Sequence, residues 1–264
     1  MEKKEQNKLL CDVLGSVSAQ LRGAVGNLCA AMQLSGGAGR RDPIVQQSLY
    51  RMMRMLNNLS DAPILAENEP FRLCNQDLPV WLTEMYRQAL PLAQELGVTL
   101  TLRCSEEHHL CAVHPEYLER LVWNLLSNAL KFTPAGGEIV LGLEFRNGQV
   151  LLSVADNGCG ISDEQLAMVY ERYLHPERQD PPKHGLGLGL PLCRRIAEGH
   201  GGRLLLASRQ SDGTTATAAL PDRCVDSGVL HQPTPAYAGG FQPVMVELSD
   251  ALPYTAFTER NLDE

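Results

Sequence analysis

The sequence predicts an α+β protein in which an N-terminal helical hairpin precedes an α/β sandwich, and three observations predict it. Apolar residues recur at helical spacing through residues 5–62. From about residue 70 the pattern changes to mixed α/β, with VTLTLRC (98–104) alternating apolar and polar residues. Two alternating runs then meet across Asn147-Gly148, a strong two-residue hairpin signal.

Residues 5–34 place Leu10, Leu14, Val17, Leu21, Val25, Leu28 and Met32 at intervals of three and four, and residues 44–62 repeat the pattern with Val45, Leu49, Met52, Leu56 and Leu59. Each reads as an amphipathic helix with a narrow apolar seam. SGGAGRRDP between them has the small residues and the Pro of a helix–helix loop. A hairpin this small buries too little to stand alone, so its seam predicts a homodimer, two copies forming a four-helix bundle.

Further along, FRLC (71–74) reads as a short strand, 78–96 as a helix and VTLTLRC (98–104) as a half-buried strand. His114-Pro115 opens a helix through YLERLVWNLLSNALKF, with Pro at the first helical position. EIVLGLEF (138–145) and QVLLSVAD (149–156) form the hairpin, and a helix is expected at 162–172. Another helix begins near Gly189, and RLLLAS with TTATAAL makes a last hairpin. SGVLHQPTPAYAGG has a linker's composition, and VMVELSDALPYTAF has enough apolar residues for a short docking element. The expected domains are the dimerisation hairpin over 1–66, the sandwich over 67–221, and over 222–264 a linker with a short docking or disordered tail.

A net charge of -8 argues against nonspecific binding to nucleic acid or anionic lipid. The charge is unevenly spread: residues 1–66 hold eight basic and five acidic residues, whereas 222–264 hold two and seven. Eight cysteines show no CxxC pair and no metal-ligand spacing, which favours reduced thiols over a disulfide framework. MEKKEQNK lacks an apolar leader core, and no window approaches the roughly 18 to 20 apolar residues of an integral membrane segment. A cytoplasmic location is therefore expected.

Three segments carry chemistry. Asn124, Asn128 and Lys131 sit at i, i+4 and i+7 on one helical face, where two amides and an ammonium suit a magnesium ion bridging phosphate oxygens. Taken alone, a solvated polar stripe explains them as well. Asp156-Asn157-Gly158-Cys159-Gly160-Ile161 follows a strand: its glycines let backbone approach a ligand closely, and its carboxylate can accept from an exocyclic amine. Gly185-Leu186-Gly187-Leu188-Gly189 opens a helix whose free N–H groups would form an anion site.

In this order the three resemble the N box, the Asp-Gly-x-Gly box and the second glycine box of the Bergerat ATP-binding fold. That fold is shared by histidine kinases, DNA gyrase, mismatch-repair proteins and heat-shock chaperones. NLLSNALKFTP, VADNGCGIS and HGLGLGLPLCRRIAEGHGG resemble the sensor histidine kinase version, closely over 70–221 and loosely over 10–66. The resemblance implies ATP and Mg2+ as cofactors, with Asn128 as the magnesium ligand and Asn124 and Lys131 as catalytic groups on the phosphate side. It implies Asp156 on the adenine amino group, a base pocket shaped by Gly158, Gly160 and Ile161, and phosphates cradled by Gly185, Leu186, Gly187, Leu188 and Gly189. Tyr170 and Tyr173 stand where kinases carry phenylalanines, although core packing would explain them too. HPERQDPPKH (175–184) would be a lid from which Lys183 or His184 reaches the nucleotide. Gyrase-type ATPases carry a Glu where this chain has Asn124, and an amide cannot act as the base for fast hydrolysis. A response regulator or phosphotransfer protein is the implied partner.

The family's first hairpin helix carries Ser-His-Glu-Leu-Arg-x-Pro-Leu. Here Val17-Ser18-Ala19-Gln20-Leu21-Arg22-Gly23-Ala24-Val25 lines up with it, with Ala19 for the histidine and Gln20 for the glutamate. Ala19 lies about 200° around the helix from both Val17 and Leu21, on the outward face. All seven histidines fall at 108, 109, 114, 175, 184, 200 and 231, so no register shift restores an acceptor within 1–107. Phosphorylation of its own hairpin is excluded chemically. What remains is a histidine-kinase-type enzyme acting on a separate acceptor, a non-catalytic nucleotide-binding regulator of a kinase or response regulator, or a slow ATPase or anti-sigma-type serine kinase.

Overall fold

The alternating runs form a sheet whose register sets the position of everything else. In this computed structural model, which describes residues 42–60, 71–162, 164, 189–226 and 241–258 with the single positions 21 and 25, the chain divides into two units: residues 1–68 with 234–264, and residues 69–233.

In the larger unit, β4 (Glu138–Arg146) and β5 (Gln149–Asp156) pair antiparallel from Arg146↔Gln149 to Ile139↔Asp156. Asn147 and Gly148 join them with φ of 53° and 71°, the left-handed region that a two-residue turn demands. β2 (Thr99–Cys104) adds parallel to β4, β7 (Gly213–Pro221) antiparallel to β5, and β6 (Arg203–Arg209) antiparallel to β7. The sheet order is β2-β4-β5-β7-β6. Alternation buries Ile139, Leu141, Leu143, Val150, Leu152 and Val154. Helix α2 (Leu78–Glu95) packs on β2, α3 (Pro115–Phe132) on β5, and α4 (Gly189–Gly199) on β6, β7 and α3.

The strand expected at FRLC begins where that segment ends. β1 is Cys74–Asp77, and it pairs antiparallel with β3 (Leu110–Val113), a strand the sequence pattern did not suggest. Phe71 serves instead as a ring wedge, edge-on to His114, Tyr117 and His200. His200 ties the end of α4 to the start of α3. Its Nε2 accepts the His114 N–H at 2.9 Å and its Nδ1–H donates to the Ile196 carbonyl at 2.7 Å, which defines the neutral tautomer. Burial pushes its pKa down to about 4.

In the smaller unit, helix α1 (Pro43–Ser60) carries the segment 241–258, which holds a short helix α5 (Pro243–Leu248) and a 3-10 turn (Tyr254–Ala256). Tyr50 meets the rings of Phe241 and Phe257 at 4.9 and 5.3 Å, and Met245, Val246, Leu248 and Leu252 are buried. Leu49 and Leu56, expected to need a second copy for burial, are 3% and 8% exposed within one chain; Leu21 is 47% exposed. The remainder of the first hairpin helix, apart from position 25 and including Ala19, lies outside the described residues, as do positions 163 and 165–172 of the helix expected at 162–172 and the lid.

Candidate nucleotide site

Asp156 ends β5, and the ladder sets its Cα opposite Thr214 of β7. Its Oδ1 accepts the N–H groups of Gly158 at 2.9 Å and Thr214 at 3.3 Å. Neither bond uses Oδ2. Burial raises the carboxyl pKa, and the two N–H bonds offset part of that rise. The carboxylate is thus held by one oxygen, while the other has no hydrogen bond among the described residues.

It faces a cavity of about 420 Å³, within the range of small-ligand pockets. The walls are apolar: Leu125, Ala129 and Phe132 from α3, Leu190 from α4, Val154 from β5, Leu206 from β6 and Ala216 from β7. Asn128, Asp156 and Thr214 are polar groups among them, and Cys159, Gly160 and Ile161 close one side. A flat, apolar base with one exocyclic amine fits such a slot, because the carboxylate supplies the acceptor and the walls exclude water.

Two glycines make the geometry possible. Gly160 has φ 64° and lies against the Arg209 carbonyl, and Gly213 has φ 93° and lies against the Asp156 carbonyl. A Cβ at either would overlap backbone. A hydroxyl relay completes this side: the Ile161 N–H donates to Ser208 Oγ at 2.9 Å, and Ser208 Oγ lies 2.8 Å from Thr214 Oγ1. Sequence reasoning missed Ser208 and Thr214. Only the strand register, which brings residue 214 beside residue 156, reveals them.

The other expected residues fall as follows. Gly158 closes on the Phe132 carbonyl beside the cavity. Asn124 is 4% exposed and donates Nδ2–H to the Arg120 carbonyl at 2.9 Å; its Oδ1 is the atom a side chain at Gly189 would meet. It therefore sits between α3 and the start of α4, beside the cavity lining. Lys131 Nζ stands 5.5 Å from the Phe132 ring centroid, also off the lining. Tyr170, Tyr173, Lys183, His184, Gly185, Leu186, Gly187 and Leu188 lie outside the described residues. Among the described residues no group of three His, Cys, Asp or Glu could hold a metal, and no helix is long and apolar enough to cross a membrane.

This geometry agrees with the sequence comparisons. Residues 113–223 match the family described as histidine kinase-, DNA gyrase B- and HSP90-like ATPase. The chain carries the ATP-binding domain of the sensor histidine kinase family. The alginate biosynthesis sensor protein KinB of Pseudomonas aeruginosa is 30% identical over 178 residues, covering 67% of this chain and 29% of the relative. Sensor protein DivL of Caulobacter vibrioides is 30% identical over 227 residues, covering 83% of this chain and 29% of the relative. The chain thus spans less than a third of the length of these curated relatives. Full-length ShkA, solved in complex with AMPPNP, shares the fold with a TM-score of 0.66 at 21% identity, over 83% of this chain and 47% of that one. Asn128, Asp156, Thr214 and Leu190 at the start of α4 all line the one cavity described above.

Proposed function

We propose that the protein binds ATP with magnesium in this cavity and transfers the γ-phosphoryl group to a histidine on a separate protein of a two-component pathway. One juxtaposition carries the reading: a carboxylate kept open toward an apolar slot at Asp156, in a chain with no histidine before residue 108. Asp156 and its apolar walls support a site for a base, while the hairpin has no imidazole to receive phosphate.

The donor set fits magnesium held largely by phosphate oxygens and water. Asn128 offers one amide oxygen, and hard octahedral ions usually take few protein ligands when a nucleotide is present. Bound there, the ion would neutralise charge on the transferring phosphoryl group. Asn124 supplies no carboxylate to activate water, which favours transfer over hydrolysis. In the step itself the acceptor nitrogen forms a bond to phosphorus as the bond to the leaving ADP oxygen breaks. The hairpin of residues 5–66 would hold two copies together and present the outward face at position 19 to a response regulator or phosphotransfer protein in the cytoplasm.

A second reading is supported by the position of Lys131 over the Phe132 ring, off the cavity lining. In that reading the protein is a nucleotide-dependent regulator with no transfer chemistry. Labelled ATP distinguishes the two. Wild type should acquire no acid-labile phosphate, and an Ala19→His, Gln20→Glu double variant should acquire it, because the effective concentration of an imidazole within a docked dimer is high. Silence in the double variant with ATP still bound favours the regulator. Phosphohistidine on the wild type would refute the proposal.

A further inference from the structure

Helix α1 contains Arg51 and Arg54 and no acidic residue, while residues 241–258 contain Glu247 and Asp250 and no basic one. The two meet with their charges opposed. Arg54 Nη1 lies 3.5 Å from Asp250 Oδ2, and Asn57 Nδ2 donates to Glu247 Oε1 at 3.5 Å. Arg51 Nε–H donates to the Ser249 carbonyl at 3.3 Å, and Gln47 Nε2–H to the Leu252 carbonyl at 2.8 Å. Tyr50 fills the centre, its ring between Phe241 and Phe257 and its hydroxyl accepting the Gln242 N–H at 3.3 Å.

Gln47, Tyr50, Arg51, Arg54 and Asn57 fall at i, i+3, i+4, i+7 and i+10, one continuous face of α1. What this face recognises is general. Two of its donors read carbonyls beyond the end of a short helix, one cation reads a carboxylate, and one ring reads apolar side chains. A helix of six residues followed by a three-residue turn is too short to hold its shape in water without a surface to pack on. Its fold on α1 is therefore coupled to its docking.

We propose that this face of α1 is a binding site for an acidic, amphipathic helical segment of a partner protein, and that residues 241–258 close it in cis. The tail is a resident competitor, and a partner with the same chemistry displaces it. A second copy of the chain is not the intended occupant, because Ile44, Met52 and Met55, exposed at 57%, 37% and 49%, form a separate apolar stripe around the helix on which copies can meet. The inference stands apart from the nucleotide chemistry, since it concerns the smaller unit alone.

The test uses the full chain and a labelled synthetic peptide of residues 238–260. Phe241→Asp with Phe257→Asp weakens the cis tail, and this variant should bind the peptide at least about tenfold more tightly than wild type, whose site is already filled. Adding Arg54→Glu should abolish that binding, and a peptide carrying Asp250→Arg should restore it. Unchanged ATP affinity reports that the larger unit is intact. In wild type, amide exchange at Val246, Leu248 and Leu252 should proceed through local opening, faster than exchange in the centre of α1. Equal peptide binding by both chains, or none by either, overturns the proposal. So does tail exchange that occurs only with unfolding of α1, which would make the segment a permanent part of the unit. A tail-weakened chain that sediments as a smaller species than wild type would identify the occupant as the tail of a second copy and overturn it equally.

Discussion

The two ends of one strand pair, β5 with β7, treat carboxylates in opposite ways. At the end marked by Asp156↔Thr214, a half-buried carboxylate faces an apolar cavity and, among the described residues, holds two N–H groups, both on Oδ1. At the end marked by Gln149↔Pro221, Asp222 accepts from His109 Nε2 at 2.8 Å, and Glu106 lies 3.0 Å from Nδ1 of the same ring. That ring stacks on Phe145 with centroids 3.8 Å apart. Burial opposes the charge on His109, but the hydrogen bonds to Asp222 and Glu106 outweigh it and hold the pKa above the ordinary value. One end satisfies its charges internally and is structural. The other leaves an acceptor unspent, and that is what a binding site needs.

The largest expected effect falls on the open end. Asp156→Asn should weaken ATP binding by about 1.5–3 kcal/mol, more than tenfold, as read by calorimetry. Because burial raises the Asp156 pKa, its ionised form costs folding free energy at neutral pH, so the variant should be as stable as wild type or more so. Unchanged nucleotide affinity, or a clear loss of stability, would break the contrast.

The next effect concerns an imidazole kept neutral. The folded pKa of His200 lies below the unfolded value, so its contribution is complete above the ordinary histidine pKa and is lost as pH falls from there toward about 4. Taking the protein from pH 6.5 to pH 5 should cost about 1.5 kcal/mol through this residue. A denaturant series at both pH values on wild type and His200→Asn checks it, since the variant should lose that slope.

The smallest effect is at the closed end. With its folded pKa raised, His109 stabilises fully below the ordinary histidine value and loses that contribution as pH rises through the folded pKa. Its side chain is 23% exposed, so solvent screens the pair, and His109→Gln should cost less than about 1 kcal/mol at pH 6 and still less at pH 9. Nucleotide affinity should not change. A tenfold loss of ATP binding in His109→Gln would show that the two ends are coupled.

Several elements were legible because their causes are local. The turn at Asn147-Gly148 needs two positive φ values, and only a few residue types accept them cheaply. Helix α3 declares itself through Pro115 at its start and an apolar period beneath it. β3 was hidden for the opposite reason: four residues between His109 and His114 carry no readable period, and they become a strand only because Cys74–Asp77 arrives to pair with them. Asn124 and Asn128 look equivalent in sequence, a single turn apart. Burial separates them, since Asn124 bonds the Arg120 carbonyl beside α4 while Asn128 lines the cavity.

By itself the sequence determined most helices and strands of the larger unit, though not β3, together with the three motifs and the absence of a histidine before residue 108, because residue type, period and spacing are properties of the chain alone. Tertiary structure decided the rest. The pairing of Asp156 with Thr214, the Ser208 hydroxyl beneath Ile161, and the seating of residues 241–258 on α1 join positions far apart in sequence. Such contacts depend on register and on which surfaces remain to be buried once local elements have formed, and no local window contains that information.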